Sequence, residues 1–480
     1  MCINAYNIII IPWNVKFFFA IVTDCYRPYG FRRRPYIITG WLGALAFTLI
    51  LAILGTGLQE WSSGVYIWIA INFIIQMFLI LADVSADGMS VEIGKYEQKM
   101  ERGTVLVTGQ FISFWFSVGA GILQAFFMNG PDTNPSDCPI NASNCWSWGL
   151  NVSQFYWFST VVILVLLVPI FMLKEFDPKD VHIHTISEHA NMLWATIQNR
   201  TTLYMLIYVG FGFTFGAMTS AVWSIFVYNV IKLTNLQLGI SNILSFGASL
   251  IGIYIFRQYL LNRNWRSTQY FSFLSQAIFG LLMIFPYNNK ASNPWFVIFC
   301  GLLASFAQSF CQCLYGLAVI EISPLGQEAT TYELIVSSHN AAILIGTLIS
   351  TQLLAVSDSL ACVPSETLKE CPKHSVNVTN FNTYLSTGGP KAYTKYSIII
   401  LVINIAGTLI FTMFLPSSVQ ECHQWKERGD INKNTILNKT RTGYISAFIA
   451  SFLFIYGIVV SILILDPKQS CKVAFGGTGC

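Results

Sequence analysis

Apolar positions gather into twelve long runs along this chain, at about 5 to 22, 36 to 58, 65 to 84, 103 to 127, 154 to 173, 201 to 229, 237 to 256, 267 to 286, 294 to 320, 331 to 356, 394 to 415 and 443 to 465. About 20 consecutive apolar residues suffice to cross a hydrocarbon core of roughly 30 Å as a helix. Length and apolarity, rather than periodicity, identify these runs. They predict an all-α, polytopic membrane protein with about 12 transmembrane helices.

Composition agrees: 54% of the 480 residues are hydrophobic, 15% aromatic and 10% charged, with a mean hydropathy of +0.56. That balance excludes a soluble globular domain. A net charge of +4, widely dispersed, excludes a nucleic-acid partner. The distribution of charge is more informative. If the loop with Arg32, Arg33 and Arg34 faces the cytosol, 18 of the 27 basic residues fall on that side, 8 on the other, and Lys16 lies within a run. Short loops rich in Lys and Arg stay inside.

Cysteines give a second indication that does not use charge. Cys138 with Cys145, Cys362 with Cys371, and Cys471 with Cys480 form three close pairs, all in segments expected outside, where disulfides persist. Glycosylation sequons agree in part: Asn141, Asn151 and Asn377 share that side, while Asn199 and Asn438 fall inside and should stay bare. Cys300, Cys311 and Cys313 lie within a run and read as packing residues. Residues 1 to 11 lack the basic n-region of a secretory signal, and an even number of spans would put both ends outside.

Four stretches occur in order along the chain: PWNVKFFFAIVTD with GFRRRPY, LADVSADGMSVE, GQFISFWFSVGAG and SPLGQEATTYELIVSSHN. Together they resemble the folate–biopterin transporter family of the major facilitator superfamily over about residues 10 to 415. The resemblance implies a two-bundle fold in which the PW-to-RRRPY stretch is the second helix. The chain would then hold family helices 2 to 12 plus one additional C-terminal span, with the first helix missing. The mixed, polar segment 174 to 200 reads as a cytosolic linker. The expected division is 1 to 173 as an N-terminal bundle, 174 to 200 as linker, 201 to 415 as a second bundle, and 416 to 480 as a cytosolic loop, an extra span and a Cys-containing tail. Parallel repeats should also place a second basic loop one half later, and Arg257, Arg263 and Arg266 fall there without an acidic partner in the same motif.

For Asp24 with Arg32, Arg33 and Arg34, similarity to the superfamily's loop motif implies a gate clasping the two halves on the cytosolic side. The arginines alone would equally set topology and bind anionic lipid. Glu328 either caps a helix N-terminus or forms a matching clasp. Ionisable groups within a span cost about 2.5 to 3.5 kcal/mol at the bilayer centre, so they face a wet cavity or a partner. Lys16 is one such group, unless it snorkels to the interface. Asp83 and Asp87, four residues apart, share a helix face. These three suit an ion pair, a proton relay or a site for an anionic solute, with solvation at a helix end as the bland reading of the carboxylates. Gln110 and Asn340 stand out among the intramembrane amides through the motifs that hold them. Trp115, Trp223 and Phe226 offer faces for a flat heterocycle, although most aromatic residues here belong to packing and interfacial belts.

HIHTISEH, with His182, His184 and His189, lacks the Cys residues or helical spacing of a metal site. GxxxxGK[ST] and HExxH motifs are both absent, which removes ATP-driven transport and zinc proteolysis. Neither enzyme activity, metal nor cofactor is expected. The reading that results is a secondary active transporter of a folate-like or pterin-like organic solute, coupled to protons, multi-pass in the plasma membrane or an endomembrane and monomeric. Transport of a different small solute, or a non-transporting receptor or scaffold, is the alternative.

Overall fold

A computed structural model describes residues 9, 11 to 55, 57, 64 to 98, 103 to 128, 130, 148 to 175, 185 to 219, 226 to 290, 292 to 356, 361 to 362, 376 to 377, 379 to 431 and 436 to 463. A 3-10 turn, Ile11–Val15, leads into α1 (Lys16–Cys25). There follow α2 (Arg34–Leu54), α3 (Gly64–Tyr96), α4 (Thr104–Ile122) with a π-helical extension Leu123–Phe127, α5 (Val152–Met172) and α6 (Ile186–Ile197). Then come α7 (Arg200–Ile207), α8 (Asn235–Ile255), α9 (Trp265–Leu282), α10 (Pro294–Ile322) and α11 (Glu328–Val356). The short α12 (Phe381–Ser386), α13 (Gly389–Thr412), α14 (Val419–Ile431) and α15 (Ile436–Leu463) complete the chain.

Ten helices among the described residues are long and apolar enough to span a membrane. Among the described residues two of the twelve expected runs do not form one continuous helix. The first is a 3-10 turn plus the ten-residue α1. The run 201 to 229 breaks into α7, a π-helical turn Tyr208–Gly212, a four-residue helix Phe213–Gly216, a 3-10 turn Ala217–Thr219 and a second π turn Phe226–Ile231. Gly210, Gly212 and Gly216 weaken helical preference over that stretch. A two-residue parallel pairing of Ala361–Cys362 with Val376–Asn377 is the one strand contact among the described residues.

Close helix approach sets the architecture of the first half. A Cβ placed on Gly40 of α2 would meet the Phe78 carbonyl oxygen at 2.5 Å and the Ala82 Cβ at 2.8 Å, so a larger residue would push α2 off α3. Helix α5 packs on the far side of α2, while α4 lies along α8. Most enclosed is α11, which touches α1, α3, α15 and the broken segment after α7. Its first three turns bury Glu328, Thr330, Thr331, Glu333, Ser337 and Ser338. Polar groups taken out of water need partners, and for Glu328, Thr330 and Glu333 the chain's first 100 residues supply them.

Two lengths differ from expectation. The run ending at 84 continues as α3 to Tyr96, 33 residues in one helix, which is about 50 Å at 1.5 Å per residue. Asp83 and Asp87 therefore sit inside a helix and not at its end. The segment expected as a linker contains α6, whose N-terminus is closed by a reciprocal cap: Glu188 N–H donates to Thr185 Oγ1 at 3.2 Å, and Thr185 N–H to Glu188 Oε2 at 2.8 Å.

Candidate functional site

Two ionic clusters occupy the contact between α11 and the start of the chain. The first gathers at the basic end of the bundle. Asp24, at the last turn of α1, accepts Arg32 Nη2 at 3.1 Å on Oδ1 and also receives the Arg33 guanidinium there. Its Oδ2 accepts the backbone N–H of Thr330 at 2.8 Å and the Thr330 hydroxyl at 2.6 Å. Arg32 reaches on to Glu328 at 2.7 Å and to Glu92 at 3.4 Å. Lys95 closes the ring, 3.1 Å from Glu328 Oε1 and 3.1 Å from the Pro324 carbonyl oxygen. Arg32 and Arg33 are almost wholly buried. Burial opposes the charge on Arg32, yet Asp24, Glu328 and Glu92 outweigh it and hold the guanidinium protonated more firmly than usual. Three cations face three carboxylates in this cluster, so it is neutral as a whole.

The turn presenting the arginines is built by backbone. Tyr29 and Gly30 both take positive φ, 57° and 82°, which Gly30 adopts without steric cost. Glu175, just past α5, then accepts the N–H groups of Arg32 at 2.9 Å and Arg33 at 2.7 Å on Oε1, and of Arg34 at 3.2 Å on Oε2. A carboxylate thus occupies the N-terminus of α2, where unpaired donors and the helix dipole favour it. Arg34 itself turns away from the cluster and donates to the Phe171 carbonyl oxygen at 2.8 Å.

Against this cluster lies α6. His189 Nε2 sits 3.0 Å from Thr330 Oγ1, which in turn donates to Asp24. Gln327 donates to the His189 carbonyl oxygen at 2.8 Å, and Thr196 to Gln327 at 3.4 Å. His182 and His184 lie outside the described residues.

The second cluster lies farther along α1. Lys16, 2% exposed, places its Nζ 2.6 Å from Asp83, 3.5 Å from Asp87 and 3.3 Å from Glu333. Carboxylate oxygens of the three acids lie within 4.8 Å of one another. Here one ammonium faces three carboxylates, an excess of two negative charges if all are ionised. Glu333 is fully buried, whereas Asp83 and Asp87 keep 39% and 26% of their side chains exposed. The ammonium stands where a bound cation would sit among these oxygens.

Sequence reasoning named Lys16, Asp83 and Asp87, and the fold brings them together. It missed Glu333 and Glu175. Glu333 falls five residues after Glu328 in the motif already singled out, so an intramembrane carboxylate scan would have found it; Glu175 carries no such signal. Asn340 donates to the Trp13 carbonyl oxygen at 3.5 Å, next to the Lys16 cluster. Gln110 is half-buried on α4 and makes no bond to either cluster among the described residues. Phe226 is buried among Tyr287, Tyr384 and Tyr393, the packing alternative for such aromatic residues. Trp115 is 58% exposed, and Trp223 lies outside the described residues.

Asn151 caps α5, accepting Gln154 N–H at 2.8 Å, and Asn377 accepts both N–H and hydroxyl of Thr379 at 3.0 and 2.8 Å. Asn141, Cys138, Cys145, Cys371, Cys471 and Cys480 lie outside the described residues, as does the side chain of Cys362. Among the described residues Cys25, Cys300, Cys311 and Cys313 are free thiols. The second basic loop does find an acid, from a distant stretch: Arg266 reaches Glu421 Oε1 at 2.8 Å and the Leu415 carbonyl oxygen at 2.6 Å.

Similar proteins bear on the fold and the family. A folate-biopterin transporter of Synechocystis sp. is 20% identical over 338 residues, covering 69% of this chain and 63% of the relative's own length. Among solved structures, FucP, a major facilitator superfamily transporter in the outward conformation, has a TM-score of 0.50 at 14% identity, covering 86% of this chain and 90% of its own. The proton:xylose symporter XylE has a TM-score of 0.51 at 11% identity over 88% and 89%. The human organic anion transporter MFSD10 gives 0.50 at 14% over 84% and 82%. The fold is that of the major facilitator superfamily, in a multi-pass integral membrane protein. With its family model matched over residues 4 to 436, the chain belongs to the BT1 family.

Proposed function

We propose that this chain is a secondary active transporter that moves a folate-like or pterin-like organic solute by alternating access, coupled to protons. The observation that carries the reading is the contrast between two neighbouring clusters: one balanced at three cations to three acids, one unbalanced at one to three. A charge-balanced cluster is a latch, stable while closed and separable along the α1–α11 seam. An unbalanced one inside a membrane protein is costly with every group ionised, because like charges a few ångströms apart cannot all persist in low dielectric. Taking up a proton relieves it, so the Lys16 cluster loads and unloads protons as water reaches it from one side or the other.

In this reading Asp24, Arg32, Arg33, Glu92, Lys95 and Glu328 hold the basic, cytosolic end shut, with Thr330 joining α11 to Asp24. Two bundles, residues 1 to 173 and 201 to 415, rock about the seam, with 174 to 200 connecting them and α6 docked beneath the clasp. Loading of Asp83, Asp87 and Glu333 shifts the equilibrium between the two arrangements by its differential stabilisation of one of them. The name of the Synechocystis relative supports the solute class.

The test is uptake of labelled folate and pterin into proteoliposomes holding the purified chain, with and without an imposed pH gradient. Accumulation that follows the gradient and collapses with a protonophore is expected. Uptake indifferent to pH would remove proton coupling, and no uptake of any organic solute would leave a receptor or scaffold.

A further inference from the structure

A cavity of about 500 Å³ opens between the segment Phe213–Gly216 and helices α8, α9, α10 and α13. It is distinct from both ionic clusters, and its lining includes no Asp, Glu, Lys, Arg or His among the described residues. Four side-chain amides converge on it instead: Asn242, Gln276, Gln308 and Asn404. Amides in membrane bundles mostly join helices, for about 0.6 kcal/mol each, but these are only partly used in that way. Asn404 donates to the carbonyl oxygens of Phe215 at 3.1 Å and Gly216 at 3.5 Å. Two backbone acceptors fix its orientation, so its Oδ1 is left to accept. Asn242 spends an N–H on Gln124 Oε1 at 2.8 Å, and the Gln276 amide nitrogen donates to Ser272 Oγ at 3.2 Å and to Cys311 Sγ at 3.6 Å, which leaves its carbonyl oxygen to accept. Gln308, halfway along α10, is exposed to the cavity and makes no bond among the described residues.

Flat surfaces complete the lining. Phe213 and Phe273 meet edge to face at 6.1 Å and both border the cavity. Behind Phe213, the His339 ring packs at 4.4 Å and Tyr315 stacks on His339 at 5.0 Å. Tyr315 belongs to α10, which borders the cavity, and His339 to α11, which carries Glu333, so this aromatic layer joins the wall of the cavity to the helix of the charged cluster. Small-molecule sites typically enclose about 300 to 1,000 Å³, mostly apolar, with a few placed polar groups.

We propose that this cavity, lined from residues 213 to 404, binds an uncharged, planar heterocycle rich in N–H donors, and that any anionic tail of the solute lies outside it. The inference rests on the transport reading and names the part of the solute that the second half holds. Carbonyl oxygens of Asn242, Gln276 and Asn404 accept from the ring's amino and amide groups, Gln308 supplies a donor or an acceptor as required, and Phe213 covers a ring face. A charged group there would be desolvated with no counter-ion, at a cost no amide repays.

The purified full chain in lipid nanodiscs is titrated with three probes: pterin (the ring alone), p-aminobenzoylglutamate (the tail alone) and folic acid. Binding of pterin and folic acid but not of the tail is expected. Each of Asn404→Leu and Gln276→Leu should weaken pterin binding about tenfold, in keeping with a lost hydrogen bond and a desolvated partner. Gln308→Leu removes no internal bond and so tests the site with little effect on folding; about tenfold loss is expected there too. Leu274→Ala, on the exposed face of α9, should bind as the unaltered chain does. Wild-type pterin affinity in folded Gln308→Leu and Gln276→Leu would overturn this site while leaving the transporter reading intact. Binding of the tail without the ring would overturn the ring assignment and leave an organic-anion transporter. Failure to bind all three probes would overturn both readings.

Discussion

Asp24 accepts the backbone N–H and the side-chain hydroxyl of Thr330 with one carboxylate oxygen, at 2.8 and 2.6 Å, across 306 residues of chain. Its other oxygen is committed to Arg32 and Arg33. One carboxylate therefore ties the end of α1 both to its own arginine turn and to the first turn of α11. Removing the charge by Asp24→Asn takes from the buried Arg33 guanidinium its carboxylate partner, while Arg32 keeps Glu328 and Glu92, a loss of about 3 to 5 kcal/mol that endangers folding as well as gating. Thr330→Val is the finer probe, because it deletes only the hydroxyl and retains the backbone bond. Loss of about 1 kcal/mol from the closed state should raise cytosolic reactivity of a cysteine placed at Ser323 several-fold while surface expression holds. Unchanged reactivity in both variants would separate this contact from gating.

Glu333 distinguishes a proton site from a plain ion pair. In Glu333→Gln the shape is kept, and the cluster falls to two carboxylates around Lys16. Exchange of labelled for unlabelled solute, which needs no net proton movement, should continue. Accumulation driven by a pH gradient should drop about tenfold, the effect of about 1.4 kcal/mol in the loading equilibrium. Equal accumulation by variant and wild type would place coupling elsewhere.

Legibility in the sequence followed the physics of each signal. Membrane spans were plain because about 20 apolar residues carry their own evidence, and Lys16, Asp83 and Asp87 stood out because charge is rare there. The segment around α7 reads as one span because apolarity does not register π and 3-10 turns. Asp87 falls beyond the apolar run because α3 leaves the apolar region before it stops being helical. Glu175 and Thr330 escaped notice for a different reason. Their partners are backbone groups or residues more than 140 positions away, and no local pattern encodes such a pairing. Nor does spacing reveal that Arg34 turns from the cluster its two neighbours join.

Glu175 makes a prediction about how the arginines are aimed. It contacts none of their guanidinium groups among the described bonds; it holds the three backbone N–H groups that start α2. Glu175→Ala should cost roughly 1 to 3 kcal/mol of stability, the range for losing a helix cap and charge-assisted bonds. Glu175→Gln, which keeps an acceptor oxygen without the charge, should fall between. Thermal melts in one detergent, with transport measured beside them, check this. Melting temperatures unchanged in both variants would show that the turn holds its shape unaided.

The loop after α13 offers a pH dependence with a definite sign. Glu421 accepts Ser417 N–H at 2.7 Å, bonds the Ser417 hydroxyl and meets Arg266 at 2.8 Å. Partial burial pushes its pKa up, but the two bonds from Ser417 and then the Arg266 charge prevail and hold it below the usual glutamate value. A carboxylate whose pKa is lower folded than unfolded contributes stability that is complete above the unfolded value, about 4.3, and is lost as pH falls through the folded value. The difference in protection of the α14 amides between wild type and Glu421→Gln, followed by hydrogen exchange, should therefore be full at pH 7, still full near pH 5.5, and shrink once pH drops below about 4.3. A difference that stays constant through that window would mean that Glu421 acts through packing and not through its charge.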